Sequence, residues 1–222
     1  MPELRSASLT VPRTARYAAF GPAPAAAREW WIVIHGYGQL SADFLPQCRA
    51  LDDGRRLVVA PEALSRYYEP GSANTAAEAR VGASWMTRED RLNEIADYLR
   101  YFDLLVESLG AGIPALPPIH VLGFSQGTAT ASRWVAAGRV RAARLVCWGG
   151  LIAPELDLVS PAAPLRNTRV QLVLGTRDRF ATPDVVAREE VRLAAAGFTY
   201  EGIAFEGGHR LDDATLSAIA AG

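Results

Sequence analysis

Short apolar runs alternate along the chain with longer segments in which apolar and polar positions interleave. Trp30–Ile34 is the first such run and stops at His35–Gly36; Leu57–Ala60, Ile119–Leu122, Arg144–Trp148 and Val170–Leu174 repeat the pattern. Each is rich in β-branched residues or Leu and ends at Gly or Pro, as strands buried on both faces do. Between them, Leu92, Ile95, Leu99, Phe102, Val106 and Leu109 follow each other at spacings of 3 and 4, which predicts one apolar stripe on a helix over 91–109. Thr182–Pro183–Asp184 announces a second helix that ends near Gly197, a third starts after Ser125 and stops near Gly138, and a last one occupies about Leu211 to Ala221. Thr199 to Phe205 reads as the last strand. Strand and helix in alternation predict an α/β fold, a mostly parallel sheet covered by helices on both faces.

The organisation is that of one domain over residues 1–222, with residues 1–27 as a leading segment and 28–222 as the core. In the leading segment, Ser8 to Val11 and Tyr17 to Phe20 are expected to form an antiparallel hairpin, and Pro22 to Ala27 a linker. Glu69 to Ala83 and Pro114 to Pro118 read as loops; Gly71, Ser72 and Gly82 would let the first of them move as a lid, although surface loops often have this composition.

Charge narrows the partners. With 23 basic and 24 acidic residues the net charge is -1, so no nucleic-acid or anionic-membrane footprint is visible. All the basic residues are Arg, which excludes a P-loop lysine, a Schiff-base lysine and a Ser-Lys dyad. Cys48 and Cys147 sit in apolar stretches and read as buried thiols. Neither a signal peptide nor a membrane-spanning stretch is apparent, so the expected location is cytoplasmic.

Ligands of open α/β sheets bind beyond the carboxyl ends of the strands. After Ile119–Leu122 comes Gly123-Phe124-Ser125-Gln126-Gly127 and then a helix, the G-x-S-x-G pattern in its strand-turn-helix context. A serine nucleophile needs a base. His35 lies upstream of it, and His120 lies within the central strand and reads as structural. His209 alone fits the chain order serine, acid, histidine. Asp178, after Val170–Leu174, is the expected acid, with Asp157 and Glu155 as fallbacks and Asp184 better explained as a helix N-terminal acid. The Gly-rich loop His35–Gln39 can turn the Tyr37 amide inward, and with the amide of Gln126 it would make an oxyanion hole; His35 would pin that loop.

His-Gly-x-Gly (His35–Gly38), Gly-Phe-Ser-Gln-Gly (Gly123–Gly127), Gly-x-x-Asp followed by Pro (Gly175–Asp178, Pro183) and Gly-Gly-His (Gly207–His209) together resemble the phospholipase/carboxylesterase family of α/β-hydrolases, which includes the acyl-protein thioesterases. The matching segments run in order from about Trp30 to Leu216. The resemblance implies a compact fold without a separate cap that cleaves carboxylic esters, or thioesters or lysophospholipids, with no cofactor and no metal. It carries over Ser125, Asp178 and His209 as the triad, and Tyr37 and Gln126 as oxyanion donors. It also implies that Trp85, in Gly82-Ala83-Ser84-Trp85-Met86, lies beside the acyl pocket. Gln39 stands where many members have Asp, Thr128 where they usually have Gly, and 179–182 departs from the usual loop.

The expected partner is a small-molecule ester with an apolar acyl or aromatic part. Tyr67, Tyr68, Trp85, Met86, Trp148 and Phe180 are candidates to line its pocket, with Trp148 equally readable as core. Arg66, Arg88 and Arg179 could meet an acidic head group, although a solvated Arg is the commoner case. Two other functions fit the same chain: a non-catalytic binder on this fold, and an acyltransferase or perhydrolase using the same triad. A dienelactone-type hydrolase fits less well, because its nucleophile would be Cys where this chain has Ser125.

Overall fold

A computed structural model of the chain describes residues 3–72, 75 and 77–222. In chain order it contains β1 (Tyr17–Phe20), β2 (Glu29–Ile34), the short helix α1 (Ser41–Phe44), β3 (Arg56–Pro61), β4 (Ser65–Tyr68), β5 (Val81–Ser84), α2 (Arg91–Leu109), β6 (Ile119–Phe124), α3 (Gln126–Ala136), β7 (Ala142–Trp148), β8 (Arg169–Gly175), α4 (Pro183–Ala195), β9 (Glu201–Phe205) and α5 (Asp213–Ala221). Seven strands form one sheet in the order β1-β3-β2-β6-β7-β8-β9. Every pairing is parallel except that of β1 with β3.

The unbroken apolar runs are explained by two cores. Trp30, Ile32 and Ile34 of β2 face α2, α3 and the α4 side, whereas Trp31 and Val33 face α1, the 3₁₀ turns that follow it, and α5. Consecutive strand residues point to opposite faces, so both parities must be apolar when helices cover both sides. At the far end of the sheet, Arg144, Arg56 and Arg169 donate to the carbonyls of Ile219, Ala220 and Gly222. Three cations thus meet the negative end of α5, the helix that follows the His209 loop.

Two expectations are corrected and a third is sharpened. Ser8 to Val11 is not a strand, and β1 pairs with β3 instead of forming a leading hairpin. Glu69 to Ala83 is not wholly a loop, since Val81 to Ser84 pairs antiparallel with Ser65 to Tyr68; Ala73, Asn74 and Ala76, in the middle of the candidate lid, lie outside the described residues. In α2 the buried residues are Tyr98, Phe102 and Leu105, while Leu92 is 76% exposed. Ile95, Leu99, Val106 and Leu109 pack on the same core as Phe102, so the stripe holds except at Leu92. Tyr98 joins it by burying its ring while Arg133 donates to its hydroxyl, and Phe102 packs on Trp85 and Trp134.

Candidate active site

Between the end of β6 at Phe124 and the start of α3 at Gln126, a single residue makes the whole turn. Ser125 has φ 54 and ψ −118, outside the regions open to most L-residues. Such a conformation costs on the order of 1–3 kcal/mol and persists only where the surroundings over-determine it. Here the Ser125 amide donates to the Trp148 carbonyl at 2.8 Å, and the Ser125 carbonyl accepts from the amide (3.0 Å) and hydroxyl (2.7 Å) of Thr128. The glycines on either side are required by contact: a Cβ on Gly123 would stand 2.2 Å from the Gly127 carbonyl oxygen, and one on Gly127 2.2 Å from that of Ile34.

Asp178 and His209 arrive from neighbouring strands, β8 and β9. Their loops are tied together by Thr176 N–H to the Phe205 carbonyl and Arg177 N–H to that of Gly207. Oδ2 of the buried Asp178 lies 2.7 Å from His209 Nδ1, and Oδ1 accepts from the Phe180 amide at 2.9 Å. A carboxylate so placed holds the proton on Nδ1 and leaves Nε2 as an acceptor. The imidazole packs on Phe124, the neighbour of Ser125, at 4.8 Å between ring centres, and Phe180 meets it edge-on at 4.6 Å. Gly149 lies against the pair: a Cβ there would be 3.1 Å from His209 Nδ1 and 3.4 Å from Asp178 Oδ2.

The loop after β2 closes the third side. The Ala63 amide donates to His35 Nε2 at 3.1 Å, so the proton sits on Nδ1, 2.8 Å from the Gly36 carbonyl. Burial pushes His35 down to about 4, which keeps the ring neutral. Gly36 lies against Ser125, since a Cβ built on it would be 3.1 Å from that of the serine, and its amide donates to Gln39 Oε1 at 2.8 Å. The Tyr37 and Gln126 amides have no acceptor among the described residues. The Gln126 side chain is turned away from them, accepting from the Trp85 amide and donating to Ser84 Oγ and the Met86 carbonyl.

Two pocket candidates are misplaced. Trp85 is 2% exposed and packs on His35, Tyr98 and Phe102, with its ring N–H given to the His35 carbonyl. Trp148 is fully buried and donates to the Arg210 carbonyl. Both indoles serve the core beneath the site, because their polar atoms find internal acceptors. Tyr67 stacks against Tyr37 at 5.4 Å, Tyr68 is 60% exposed, Met86 is half-buried, and Phe180 is 57% exposed beside His209.

The fallback acids are engaged elsewhere: Asp157 accepts from the amides of Val159 and Ser160, and Glu155 pairs with Arg133 and Arg91. The hydrogen bond from Arg133 holds the Glu155 carboxyl down at about 2. His120 stacks on Trp31 and pairs with Glu29, at the end of the sheet away from Ser125. Among the described residues, no three His, Cys, Asp or Glu side chains come together as metal ligands.

Sequence reasoning missed Glu62. This buried carboxylate accepts from the amide and hydroxyl of Ser41 and pairs with Arg16 and Arg66, tying the leading segment and β4 to the loop after β2. Burial alone would raise it, but these partners outweigh burial and hold it below its ordinary value. A Glu directly after an apolar strand was the available signal.

No protein-family model and no curated protein sequence matches the chain. Solved structures do. Acyl-protein thioesterase 2 from Zea mays superposes with a TM-score of 0.70 at 18% identity, over 94% of this chain and 97% of that one. A carboxylesterase from Mesorhizobium loti gives 0.69 at 18% identity, over 94% and 95%. A protein of unknown function from Agrobacterium tumefaciens gives 0.62 at 20% identity, over 92% and 93%. With its mostly parallel seven-stranded sheet, helices on both faces and no separate cap among the described residues, the chain has the α/β-hydrolase fold.

Proposed function

We propose that the chain is a serine hydrolase of carboxylic esters or thioesters, working through an acyl-enzyme on Ser125. The observation that carries this reading is the 2.7 Å contact of Asp178 with His209 Nδ1, at the sheet edge where the strained Ser125 turn stands. Ser125, Asp178 and His209 follow the ends of β6, β8 and β9, in the chain order that such hydrolases use. The named esterase and thioesterase among the structural neighbours support the same reading.

In the first step His209 Nε2 takes the Ser125 proton as Oγ attacks the substrate carbonyl, and Asp178 holds the ring and stabilises the imidazolium. The tetrahedral oxyanion rests on the amides of Tyr37 and Gln126, which have no protein acceptor to compete for them among the described residues. His209 then protonates the leaving oxygen or sulfur, and the alcohol or thiol departs. Water attacks the acyl-enzyme, gives a proton to His209, and releases the carboxylic acid as Ser125 recovers its hydrogen. Tyr67, Tyr68, Met86 and Phe180 remain as pocket candidates for an apolar acyl or aromatic part.

A fluorophosphonate probe and a p-nitrophenyl ester series from acetate to palmitate test the reading. Stoichiometric labelling and turnover, both lost in Ser125→Ala and His209→Ala, are expected. Competing alcohol acceptors in the same assay separate hydrolysis from acyl transfer. Absence of both labelling and turnover would point to a binder.

A further inference from the structure

The arginines on the segments that frame the site differ in how their charge is used. Arg66 pairs with Glu62 at 3.1 Å, Arg177 with Glu206 at 3.2 Å, and Arg210 with Asp212 at 3.2 Å. Arg179 has no carboxylate partner among the described residues; its guanidinium carbon lies 4.8 Å from the centre of the Phe180 ring. Phe180 stands edge-on to the His209 ring at 4.6 Å. Its amide is held at 2.9 Å by Oδ1 of Asp178, the carboxylate whose Oδ2 holds His209. Cation, ring and imidazole therefore form one contiguous row, the cation over the Phe180 ring and that ring edge-on to the imidazole, anchored on a buried acid. Arg88 also lacks a carboxylate partner among the described residues, but no aromatic ring supports it.

An arginine laid on an aromatic face keeps its fork of N–H donors available, and its planar head loses less freedom when it binds a carboxylate than a mobile cation does. The reaction decides which half of the substrate reaches it. His209 returns its proton to the leaving oxygen or sulfur, so the leaving group departs past the imidazole. Phe180 covers that imidazole, and Arg179 lies on Phe180.

We infer that Phe180 and Arg179 form a subsite for a monoanionic group carried on the alcohol or thiol half of the substrate. A single uncommitted cation suits one negative charge. The inference rests on the hydrolase reading above and adds to it the kind of leaving group the site prefers.

The test compares kcat/KM for 4-carboxyphenyl acetate with that for the neutral 4-carbamoylphenyl acetate, in the unaltered protein and in Arg179→Gln and Arg179→Lys. Comparing that ratio between proteins cancels the intrinsic reactivity of the two phenols. Arg179→Gln is expected to lower the acid-to-amide ratio about fivefold, the size of an exposed ion pair, and Arg179→Lys to keep part of it. High salt should shrink the ratio of the unaltered protein towards that of Arg179→Gln. A succinate monoester of 4-hydroxybenzamide, with its charge on the acyl half, should respond to Arg179→Gln by less than about twofold. An acid-to-amide ratio that is the same in Arg179→Gln, or an equal response from the succinate ester, overturns the inference while turnover leaves the hydrolase reading standing. If neither acetate is cleaved and Ser125 takes no fluorophosphonate, both fall together.

Discussion

Replacing Asp178 by Asn tests the orientation of His209 with almost no change of shape. Asp178 has two obligations: Oδ1 accepts from the Phe180 amide and Oδ2 from His209 Nδ1. An asparagine can meet only one of them with its oxygen. If the oxygen stays on the Phe180 amide, the carboxamide N–H₂ faces the imidazole, Nδ1 must accept, and the ring proton moves to Nε2, where it cannot take the Ser125 proton. The flipped carboxamide restores the productive tautomer but sets an N–H₂ group against the Phe180 N–H, in a pocket where only 1% of the Asp178 side chain is accessible. Leaving a buried donor unpaired costs about 1–3 kcal/mol, a bias of about 5- to 150-fold towards the unproductive orientation. The loss of the charge that stabilises the imidazolium multiplies this, so kcat/KM for a p-nitrophenyl ester should fall about ten-thousandfold in total. The circular dichroism of the variant should match the unaltered protein. Asp157→Asn, the same exchange at a fallback acid, should leave the rate unchanged. Asp178→Asn retaining more than about a tenth of the original kcat/KM would refute the assignment.

Other expectations follow from the same contacts. Gly149→Ala puts a methyl 3.1 Å from His209 Nδ1 at a residue with φ 63; kcat should drop at least about tenfold, and an unchanged rate would mean the imidazole is not held there. Gly127→Ala drives a methyl to 2.2 Å from the Ile34 carbonyl oxygen, so soluble expression should collapse, and a normal melting curve would contradict the packing. Gln39→Ala removes the acceptor of the Gly36 amide and should lower kcat more than it raises KM, whereas a pure KM effect would place Gln39 outside oxyanion binding. The buried neutral His35 has its value lowered to about 4, so the unfolded chain takes up a proton first: stability should fall as pH drops from about 6.5 towards 4. His120, also lowered by burial, acts in the same direction. Urea midpoints that stay flat or rise over that interval would overturn this account of His35 and its Ala63 contact.

The legible part of the fold was the part governed by local rules. A strand buried on both faces leaves an unbroken apolar run, so Trp30–Ile34 and Val170–Leu174 could be read within a residue or so of β2 and β8. What escaped depended on partners distant in sequence. The bounds of β1, Tyr17–Phe20, were legible but its partner was not: it pairs with β3, some 40 residues away, rather than with Ser8 to Val11. β4 and β5 stabilise each other and nothing in either run marks the pair. The stripe on α2 was legible from Ile95 to Leu109, but an aliphatic count leaves out Tyr98, which buries its ring and still satisfies its hydroxyl on Arg133.

The same division runs through the site. Ser125, Asp178 and His209 are tied to strand ends and to glycines that backbone contacts demand, so motif and chain order suffice to nominate them. The candidates for a pocket obey no such rule: Trp85 and Trp148 are the residue type that lines pockets, but their ring N–H groups reach buried carbonyls, and the core claims them. Phe180 has no buried partner of that kind and stays on the surface, held through its backbone by the same carboxylate that orients His209. A residue tethered in that way can change its side chain without disturbing the Asp178–His209 contact, since the tether is an amide that any residue but proline supplies. Variation in substrate preference on this scaffold should therefore concentrate at positions like 179 and 180, which border the chemistry without taking part in it.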